Sequence, residues 1–501
     1  MITLLHTEVA ARELHAKLLL AVLAASRGHV AVVADSGTLM RSIGVSRFFR
    51  RNLFHGAIFH TKSLTPSPSK IERHKSLVAK GLVITSQDEE VGLQNFDYES
   101  FAAARFSAES IDQCGALFTW GRFDDQFLRA RYPELSNKIF LTGSPRADLW
   151  QAARANLLEA PLLLPKRPFL LVSSTMGFPF RPLQKSLEME AEAGYFLRDE
   201  SFLAARFDYE SQKLKLMYEF IEAVRGLAKD GRYDIVLRPH PTEDLAGWQI
   251  FFTDVQNVHV IREGTITQWV PHAFAVLHNG CMTALEAVIS GKPVLAYTPL
   301  EREYGEFSNS LGERAHTQDE LANAVDFHFR QFDSRSERYV SEIPVAVSDK
   351  VLVDENQLAA EKIVRVWEKL SGPSNVGHFP WLQVTLLGLP ERVRDRRHRR
   401  LSAGRASMPQ EKFPRQDFKD IVGQVNRYVE VLGLDRGIKV RRIHDRCFVV
   451  SPSRPRSAAI STTLLSGFIS GRKKFRETGE RNSPKDSSRR SNATWGGMRL
   501  A

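Results

Sequence analysis

Cysteine is scarce in this sequence, since its 501 residues include only Cys114, Cys281 and Cys447. The three lie far apart and form no Cys-x-x-Cys pair, which argues against a disulfide framework and against a structural zinc site. Long hydrophobic runs are missing as well. The longest, residues 18–25, is much shorter than the roughly 20 residues of a membrane-spanning helix. The first residues also lack the basic start of a secretory signal peptide. We therefore expect a cytoplasmic protein with at most peripheral membrane contact.

The excess of positive charge is confined to two segments. The net charge is +11, but residues 392–405 hold seven arginines against Asp395, and residues 471–501 hold nine Lys or Arg against three acids. The rest of the chain is close to neutral. No regular interleaving of aromatic and basic residues accompanies the two segments, so a nucleic-acid partner is not expected. They are either solvated or disordered arms, or they attract the anionic phospholipid of an inner membrane surface.

Short apolar runs recur along the first 300 residues, usually with an amphipathic helical stretch between one run and the next. Continuous apolar runs separated by such crossovers are typical of parallel strands that are covered on both faces. The pattern predicts an α/β fold with doubly wound parallel sheets of the Rossmann type. The runs are Ile2–Leu5, Val30–Ala34, Ala57–Phe59, Leu82–Thr85, Ala116–Trp120, Ile139–Thr142, Phe169–Val172, Tyr233–Leu237, Val258–Ile261, Phe274–Leu277 and Pro293–Tyr297.

A stretch with three prolines, residues 157–168, interrupts this pattern and predicts a domain boundary. Two parallel-sheet domains that face each other across a cleft are expected on its two sides. The predicted segments are an N-terminal Rossmann-like domain (1–160), a C-terminal Rossmann-like domain (165–370), a basic linker (371–410), a small helix and strand module (411–452) and a disordered basic tail (453–501).

In the second predicted domain, the run Phe274–Leu277 is followed by His278, Asn279 and Gly280 and then by a helix with Thr283 and Glu286. Ligands of parallel sheets bind at the carboxyl ends of the strands. Free N–H groups at the start of this helix suit a phosphate, to which Thr283 would add a hydroxyl donor. Glu286 would accept hydrogen bonds from ribose hydroxyls. The alternative is that Thr283 only caps the helix and Glu286 is a solvated acid of its first turn.

Two more strand ends of this domain carry polar side chains. Arg238 and His240 alternate with prolines, which stiffen the turn and hold both side chains at the strand end. A guanidinium and an imidazole there suit a pyrophosphate or a leaving phosphate that needs charge neutralisation. Ser174 follows the strand Phe169–Val172 and is predicted to face the same ligand.

Acidic residues follow a strand of the first predicted domain, where Asp88 and Glu89 come shortly after Leu82–Thr85. A carboxylate in the cleft can act as a general base for an acceptor hydroxyl, or as the nucleophile of a retaining mechanism. We predict these two as the catalytic carboxylates, with Asp88 slightly preferred. The alternative is a solvated acidic loop. Further along the chain, Arg146 is predicted to meet an anionic ligand.

Several segments in a fixed order resemble a known family, the bacterial surface-carbohydrate biosynthesis proteins with a glycosyltransferase-B-like architecture. More distantly, they are similar to Kdo transferases, to CDP-glycerol glycerophosphotransferases of teichoic-acid synthesis and to UDP-N-acetylglucosamine 2-epimerases. The segments span about residues 1–300 and are Arg12-Glu13-Leu14 with Lys17–Ala21, Asp88-Glu89-Glu90, Trp120-Gly121, Thr142–Asp148, Arg238-Pro239-His240-Pro241 and His278–Tyr297.

The resemblance implies a glycosyltransferase that uses a nucleotide sugar as its donor. We expect it to need neither a metal ion nor a cofactor, because Arg238, His240 and helix N-termini would supply the positive charge. The donor would contact Arg238, His240, Thr283 and Glu286, and the acceptor, a lipid-linked sugar or an oligosaccharide, would lie against the first domain at Arg12, Glu13 and Arg146. The reaction would serve capsule or lipopolysaccharide assembly. Alternatives are an epimerase or a CDP-glycerol-type phosphotransferase of the same fold, or a non-catalytic polysaccharide-binding protein.

Overall fold

The computed structural model describes residues 1–45, 54–90, 98–176, 200–241, 243–301, 305–333, 343–371, 412–435 and 437–453. The strands in these ranges are β1 (Ile2–His6), β2 (Val30–Ala34), β3 (Ile58–Thr61), β4 (Val83–Gln87), β5 (Ala116–Thr119), β6 (Ile139–Leu141), β7 (Phe169–Ser173), β8 (Asp234–Arg238), β9 (Val258–Val260), β10 (Ala275–His278), β11 (Val294–Tyr297), β12 (Glu313–Ala315), β13 (Ile438–His444) and β14 (Cys447–Pro452).

The helices in the same ranges are α1 (Ala10–Ser26), α2 (Ser36–Val45), α3 (Pro68–Ala79), α4 (Tyr98–Arg105), α5 (Ala108–Asp112), α6 (Arg122–Arg131), α7 (Pro145–Asp148), α8 (Glu200–Ala228), α9 (Leu245–Ile250), α10 (Ile266–Trp269), α11 (Thr283–Ile289), α12 (Glu306–Asn309), α13 (Gln318–Asp333), α14 (Val345–Lys350), α15 (Ala359–Leu370) and α16 (Phe418–Val431). Short 3-10 helices occupy Pro133–Lys138, Ala152–Leu157 and Val270–His272.

The first sheet has the strand order β13-β14-β2-β1-β3-β4-β5-β6 within the described residues. Strands β1 to β6 are parallel, and both faces of the sheet are covered. Leu5 belongs to the apolar cluster that packs on α1, whereas its neighbour Leu4 belongs to the cluster on the opposite face. Because most side chains of these strands are buried, the strands form nearly unbroken apolar runs in the sequence.

The second sheet has the order β12-β11-β10-β7-β8-β9 among the described strands, and all of its pairings are parallel. Helices α8 and α13 pack on one face of it. The cluster on the other face also contains Trp120, Ala147 and Trp150 from the first half of the chain. An apolar layer therefore joins the two halves of the molecule. The first half is the first sheet with the helices that pack on it, and the second half is the second sheet with its helices. The two doubly wound sheets confirm the α/β class predicted from the sequence.

The C-terminal elements lie on the first sheet. Strand β14 pairs antiparallel with β2 along Cys447–Val450, and α15 and α16 pack against α1. Both carboxylate oxygens of Asp148 accept the first N–H groups of α15, at 2.9 and 3.0 Å. The sequence assigned α15 to the second domain and residues 411–452 to a small module. The structure places both with the first sheet. The helix α15 buries Ile363, Val364 and Trp367 against the cluster around α1, and β14, which is apolar on both faces, covers an otherwise open edge of β2.

Two predicted segments, the basic linker (371–410) and the basic tail (453–501), lie outside the described residues except for Ser371 and Ser453. Among the residues that are described, no helix is both long and apolar enough to span a membrane. The three cysteines are all buried and unpaired.

Candidate functional site

The switch point of the second sheet lies between β7 and β10, because the chain proceeds from β7 to one side and then returns to the other. Ligands of open parallel sheets bind at such points. Here the two strand ends are tied together. The hydroxyls of Ser173 and Thr283 are 3.2 Å apart, and Thr175 donates to the carbonyl oxygen of Asn279 at 2.5 Å. Thr283, predicted to bind phosphate, is thus buried and helps to hold this crevice together.

Asn279 and Gly280 shape the backbone of the same turn. The side chain of Asn279 donates to the carbonyl oxygen of Tyr297 at 2.7 Å, and the N–H of Gly280 donates to Asn309 at 2.6 Å. Gly280 has a φ of 62°, which favours glycine. A Cβ on Gly305 would lie 2.5 Å from the Cα of Gly280, so the two turns need glycine at this contact.

Ser174 is buried and takes part in a network that fixes the turn after β8. Its hydroxyl donates to Glu243 at 2.5 Å and accepts the N–H of His240 at 3.3 Å. The carboxylate of Glu243 also accepts from the indole of Trp248 at 2.8 Å and from the N–H of Met176 at 2.7 Å. Glu243 therefore ties the ends of β7 and β8 together.

The side chain of His240 is exposed to solvent between the two halves. Partial desolvation, together with the charges of Arg12 and Arg262, lowers the pKa of His240 to about 4. Its imidazole is therefore neutral at pH 7. Glu90 also acts on it electrostatically. Arg12 and Glu90 belong to the first half and Arg262 to the second, so both halves contribute charge around this imidazole.

Arg238 was predicted to face a phosphate, and its guanidinium instead supports a neighbouring turn. One terminal nitrogen donates to the carbonyl oxygen of Glu263 and the other to that of Gly264, at 2.8 Å for the second. The guanidinium also lies 5.2 Å from the ring centroid of Trp269. Burial lowers the pKa of Arg238 to about 10.

Asp88 is buried and has both carboxylate oxygens engaged. Arg105 donates to them in a bidentate pair at 2.7 and 2.9 Å, and the N–H of Glu90 donates at 2.9 Å. The indole of Trp120 donates to the backbone carbonyl oxygen of Asp88 at 2.8 Å. Burial raises the pKa of Asp88 despite the pair with Arg105. These contacts hold the turn after β4 in place.

Glu89, next in the chain, faces the junction of the halves. Its Oε1 accepts from Lys17 at 2.8 Å, and its Oε2 lies 3.8 Å from Arg146. Oε2 is buried and has no hydrogen-bond partner among the described residues. Burial alone would raise the pKa of Glu89, but Lys17 and Arg146 outweigh it and lower the pKa. Glu89 is therefore ionised at neutral pH.

Glu13 and Arg12, at the start of α1, lie beside Glu89 and Glu90. Glu13 is fully buried and accepts the N–H of Glu8 at 2.8 Å. Burial and the charge of Glu89 raise the pKa of Glu13. Arg12 donates to Glu13 at 3.2 Å and to Glu90 at 2.6 Å. The environments of Glu13 and Glu89 therefore push the pKa values of two neighbouring carboxylates in opposite directions, as in acid and base pairs of enzymes.

Arg146 joins the two halves of the site. Its guanidinium lies 5.5 Å from the ring centroid of Trp120 and 5.2 Å from that of Trp150. It donates to the backbone carbonyl oxygen of Glu89 at 3.1 Å and lies 3.8 Å from a carboxylate oxygen of Glu286 on α11. One cation of the first half is thus paired with a carboxylate from each sheet.

Glu286 is buried rather than solvated. It accepts the hydroxyl of Thr267 at 2.8 Å, in addition to its contact with Arg146. Burial raises the pKa of Glu286, and Arg146 and Thr267 offset part of that rise. The alternative of a solvated first-turn acid therefore does not describe Glu286.

The charged residues of this region that were not singled out as site residues from the sequence include Lys17, Glu243 and Arg262. The spacing of Lys17 four residues after Glu13 was the one available signal, since it places both on the same face of α1. Glu243 and Arg262 lie in turns after β8 and β9, and nothing local marks them. In the described part of the chain, no cluster of three or more His, Cys, Asp or Glu is placed to hold a metal ion.

No protein-family model matches the chain, and no curated protein matches its sequence. Solved structures with a similar fold include the UDP-GlcNAc 2-epimerase from Neisseria meningitidis bound to UDP-GlcNAc, at 12% identity over 74% of this chain and 99% of that chain, with a TM-score of 0.41. The UDP-GlcNAc 2-epimerase from Methanocaldococcus jannaschii is similar at 12% identity, 74% and 99% coverage and a TM-score of 0.42. A glycosyltransferase from Rickettsia africae has 12% identity, 74% and 99% coverage and a TM-score of 0.39.

Proposed function

We propose that the chain binds a nucleotide-activated sugar between its two halves and transfers the sugar to an acceptor hydroxyl. The observation that carries this proposal is the convergence of charged side chains from the ends of both sheets. The charge of Arg12 from the first half lowers the pKa of His240 in the second half. Arg146 of the first half is paired with Glu286 of the second. Two parallel sheets that share one polar junction suit a ligand with two chemically different ends.

The donor is held by the second half in this proposal. His240 and Arg262 are exposed and supply an N–H donor and a positive charge for the diphosphate, so no metal ion or cofactor is required. Glu286 accepts hydrogen bonds from the ribose. The other predicted donor residues act by fixing the turns around the crevice, because their polar groups are engaged there; they are Ser174, Arg238, Asn279, Gly280 and Thr283.

The acceptor lies against the first half, at Arg12, Glu13 and Arg146. In the transfer step, Glu89 takes the proton of the acceptor hydroxyl, whose oxygen forms a bond to the anomeric carbon. The bond from that carbon to the phosphate oxygen breaks, and the nucleoside diphosphate leaves with the electron pair. Glu89 suits the proton transfer better than Asp88 does, because one oxygen of Glu89 has no hydrogen-bond partner in the described structure while both oxygens of Asp88 are engaged.

A thermal-shift series with CMP, CDP, UDP, GDP and dTDP tests donor binding, with inorganic pyrophosphate as the control for simple anion binding. A ligand present at 100 times its Kd stabilises the native state by about 2.7 kcal/mol. We expect one nucleotide to raise the Tm clearly more than pyrophosphate does. If none of the five does so, the proposal fails. A response to CDP alone would favour transfer of glycerol phosphate over transfer of a sugar.

Substitution of two donor-side residues tests the location of the site. We expect His240→Ala and Glu286→Ala each to abolish transfer and the nucleotide-dependent rise in Tm, while the ligand-free fold is retained. Glu355→Ala, an exposed acid that precedes α15, is the matched control and should behave as the wild type. Full activity of both site variants would show that these residues of the second half do not bind the donor.

An epimerase is the second candidate, and one observation favours it. Glu13 and Glu89 are neighbouring carboxylates with pKa values shifted in opposite directions, and epimerisation needs one acid and one base beside the same sugar carbon. Incubation with nucleotide sugars in the absence of any acceptor separates the candidates. An epimerase converts the sugar and exchanges its proton with deuterated water, as NMR detects, whereas a transferase leaves the sugar intact until an acceptor is added.

The cellular role that we propose is surface-polysaccharide assembly, with a lipid-linked sugar or an oligosaccharide as the acceptor, at the cytoplasmic face of the inner membrane. The ordered segments that resemble surface-carbohydrate proteins support this role. The basic segments 392–405 and 471–501 support a peripheral contact, because clustered Lys and Arg are attracted to anionic lipid.

A further inference from the structure

The first sheet has a switch point of its own, between β1 and β3. The chain proceeds from β1 to β2 on one side and then returns to β3 on the other, so the carboxyl ends of β1 and β3 flank a position where open parallel sheets bind ligands. This position adjoins the candidate site, because the N–H of Glu89 donates to the carbonyl oxygen of Lys62, just after β3, at 3.1 Å.

Lysine side chains converge at these strand ends around one carboxylate. The Nζ of Lys62 lies 2.5 Å from Oε2 of Glu8, and the Nζ of Lys412 lies 2.8 Å from Oε1 of the same side chain. Burial opposes the ionisation of Glu8, but the two lysines lower its pKa to about 2. Lys70, on α3, donates to the hydroxyl of Ser63 at 2.5 Å and forms no ion pair with a carboxylate in the described part of the chain. Three ammonium groups therefore share the single negative charge of Glu8.

The pKa of Lys70 reflects this excess of positive charge. Burial, together with the charge of Lys62, lowers the pKa of Lys70 to about 8. Asp88 acts in the opposite direction, but both of its carboxylate oxygens are engaged by Arg105. Lys70 is still mostly protonated at pH 7. An anion bound beside it would offset the repulsion between Lys70 and Lys62.

None of the four charged side chains is fully buried. The exposed fraction of the side chain is 17% for Lys62, 30% for Glu8 and 47% for Lys412, and Lys70 is partly exposed. The ammonium group of Lys17 differs, since that side chain is only 2% exposed and is paired with Glu89. An anion can therefore approach the three lysines from solvent, whereas Lys17 is committed to its buried pair.

We propose that Lys62, Lys70 and Lys412 bind a phosphate group, and that this phosphate belongs to the acceptor. An ammonium group is a point charge with three donors, so ammonium groups around one point suit the tetrahedral oxygens of a phosphate. An uncharged sugar fits less well, because it would leave the excess of positive charge uncompensated. Since Lys62 is bonded to the turn that carries Glu89, the phosphate lies beside the proposed proton acceptor.

The proposal narrows the class of acceptor to phosphorylated compounds, such as a lipid-linked sugar phosphate, and disfavours a neutral oligosaccharide. Assignment of the phosphate to the acceptor rests on the proposed transferase function. Binding of the phosphate itself does not, so the two can be tested separately.

Isothermal titration of the full chain with inorganic phosphate and with geranyl phosphate, in a buffer free of phosphate, tests the site. We expect both to bind the wild type. Lys62→Met and Lys70→Met should each weaken binding about tenfold or more, because each removes a charge-assisted hydrogen bond. Lys75→Met, which removes an exposed lysine from the same helix as Lys70, is the matched control and should bind as the wild type does. Thermal melts establish that each variant is folded.

Glu8→Gln gives a readout that a merely structural role of these lysines would not produce. It removes the carboxylate that competes with the phosphate, and we expect it to tighten phosphate binding by about threefold or more. The two probes also distinguish the source of the phosphate. Tighter binding of geranyl phosphate than of inorganic phosphate would indicate a lipid-linked acceptor, and equal affinities would indicate a soluble phosphorylated one.

Two results would overturn the proposal. One is the absence of binding of both phosphates to the wild type. The other is binding that persists in Lys62→Met and Lys70→Met but is lost in His240→Ala, which would place the phosphate on the donor side. Failure of the proposed function looks different. In that case no nucleotide stabilises the wild type, while phosphate binding and its sensitivity to Lys70→Met persist.

Discussion

Arg146 and Glu286 face each other across the junction of the two halves, with 3.8 Å between Nη2 and Oε1. Arg146 comes from the short helix after β6 and Glu286 from α11 of the second half, and the side chains of both are buried. The same guanidinium contacts Glu89 at the end of β4. The position of a first-half carboxylate is thus linked to that of a second-half carboxylate through one cation.

Removal of that cation should be costly. We expect Arg146→Met to lower the free energy of unfolding by about 3–5 kcal/mol, because it leaves Glu89 and Glu286 buried without their shared partner. Urea denaturation measures the change. Arg27→Met, which breaks an exposed pair with Glu368, is the control and should cost less than about 1 kcal/mol.

A double variant separates this pairing from a simple packing defect. Arg146→Met with Glu286→Gln should recover part of the lost stability, because one uncompensated charge is gone. An equal or larger loss in the double variant would mean that the charges of Arg146 and Glu286 are not coupled.

Replacement of the proposed proton acceptor should affect the rate and spare donor binding. We expect Glu89→Gln to turn over at least ~100-fold more slowly with unchanged nucleotide affinity, since loss of a general base typically costs 10²–10⁴-fold. Steady-state rates and titration with the nucleotide measure the two effects. Glu99→Gln, an exposed acid of α4, serves as the control.

Asp88 gives the contrasting case, because its carboxylate is held by Arg105. We expect the turnover of Asp88→Asn, measured well below the Tm, to fall less than that of Glu89→Gln. Near-normal turnover in both variants, with the true donor and acceptor, would remove this pair of acids from the mechanism.

Asp124, a buried acid at the start of α6, should make stability depend on pH. Burial raises the pKa of Asp124 to about 7, although the hydroxyl of Tyr98 and the charge of Lys350 favour its ionised form. An acid with a raised pKa in the folded state binds its proton more tightly there than in the unfolded chain. Its contribution to stability is therefore present at about pH 4 and is lost as the pH rises through 7.

Urea denaturation at pH 5 and pH 8 checks this expectation. Relative to the wild type, Asp124→Asn should gain stability from pH 5 to pH 8, so that its slope of stability against pH is the more positive one, and it should be the more stable protein at pH 8. Asp112→Asn, an exposed acid of α5, should leave the slope unchanged. An identical slope in the wild type and Asp124→Asn would contradict the assignment.

The basic C-terminal segment gives a prediction that needs only the sequence. We expect deletion of residues 456–501 to leave folding and activity in solution unchanged and to reduce binding to phosphatidylglycerol vesicles at low salt. The segment 471–501 carries nine Lys or Arg against three acids, and salt screens such attraction. Cosedimentation with vesicles, with phosphatidylcholine as the control, measures the effect. Unfolding of the truncated chain, or unaltered vesicle binding, would show that the segment has another role.

The fold was predictable to a large extent because strands that are buried on both faces of a sheet appear in the sequence as continuous apolar runs. Eleven runs correspond to strands β1 to β11, most within one or two residues of the structural bounds. The pairing of β14 with β2 was not predictable. It joins segments more than 400 residues apart, and no local pattern specifies which open sheet edge a distant strand will cover.

Sequence spacing located the candidate site, but not the directions of its side chains. Strand ends identified His240, Glu89 and Glu286, which the structure brings to one junction. Arg238 occupies the expected strand end, yet its guanidinium binds the carbonyl oxygens of the turn at residues 263–264. Little in the sequence indicates that Lys17 is part of the site, because its role depends on the buried ion pair that it forms with Glu89.

Hydrogen–deuterium exchange with a panel of UDP-, GDP-, dTDP-, CDP- and CMP-linked sugars tests the central claim most directly. If both halves bind one nucleotide sugar, the donor that raises the Tm should slow amide exchange both in the second half, around residues 238–243 and 278–289, and in the first half, around residues 83–90. Slower exchange limited to one half, or no change with any sugar nucleotide, would contradict a shared site between the two sheets.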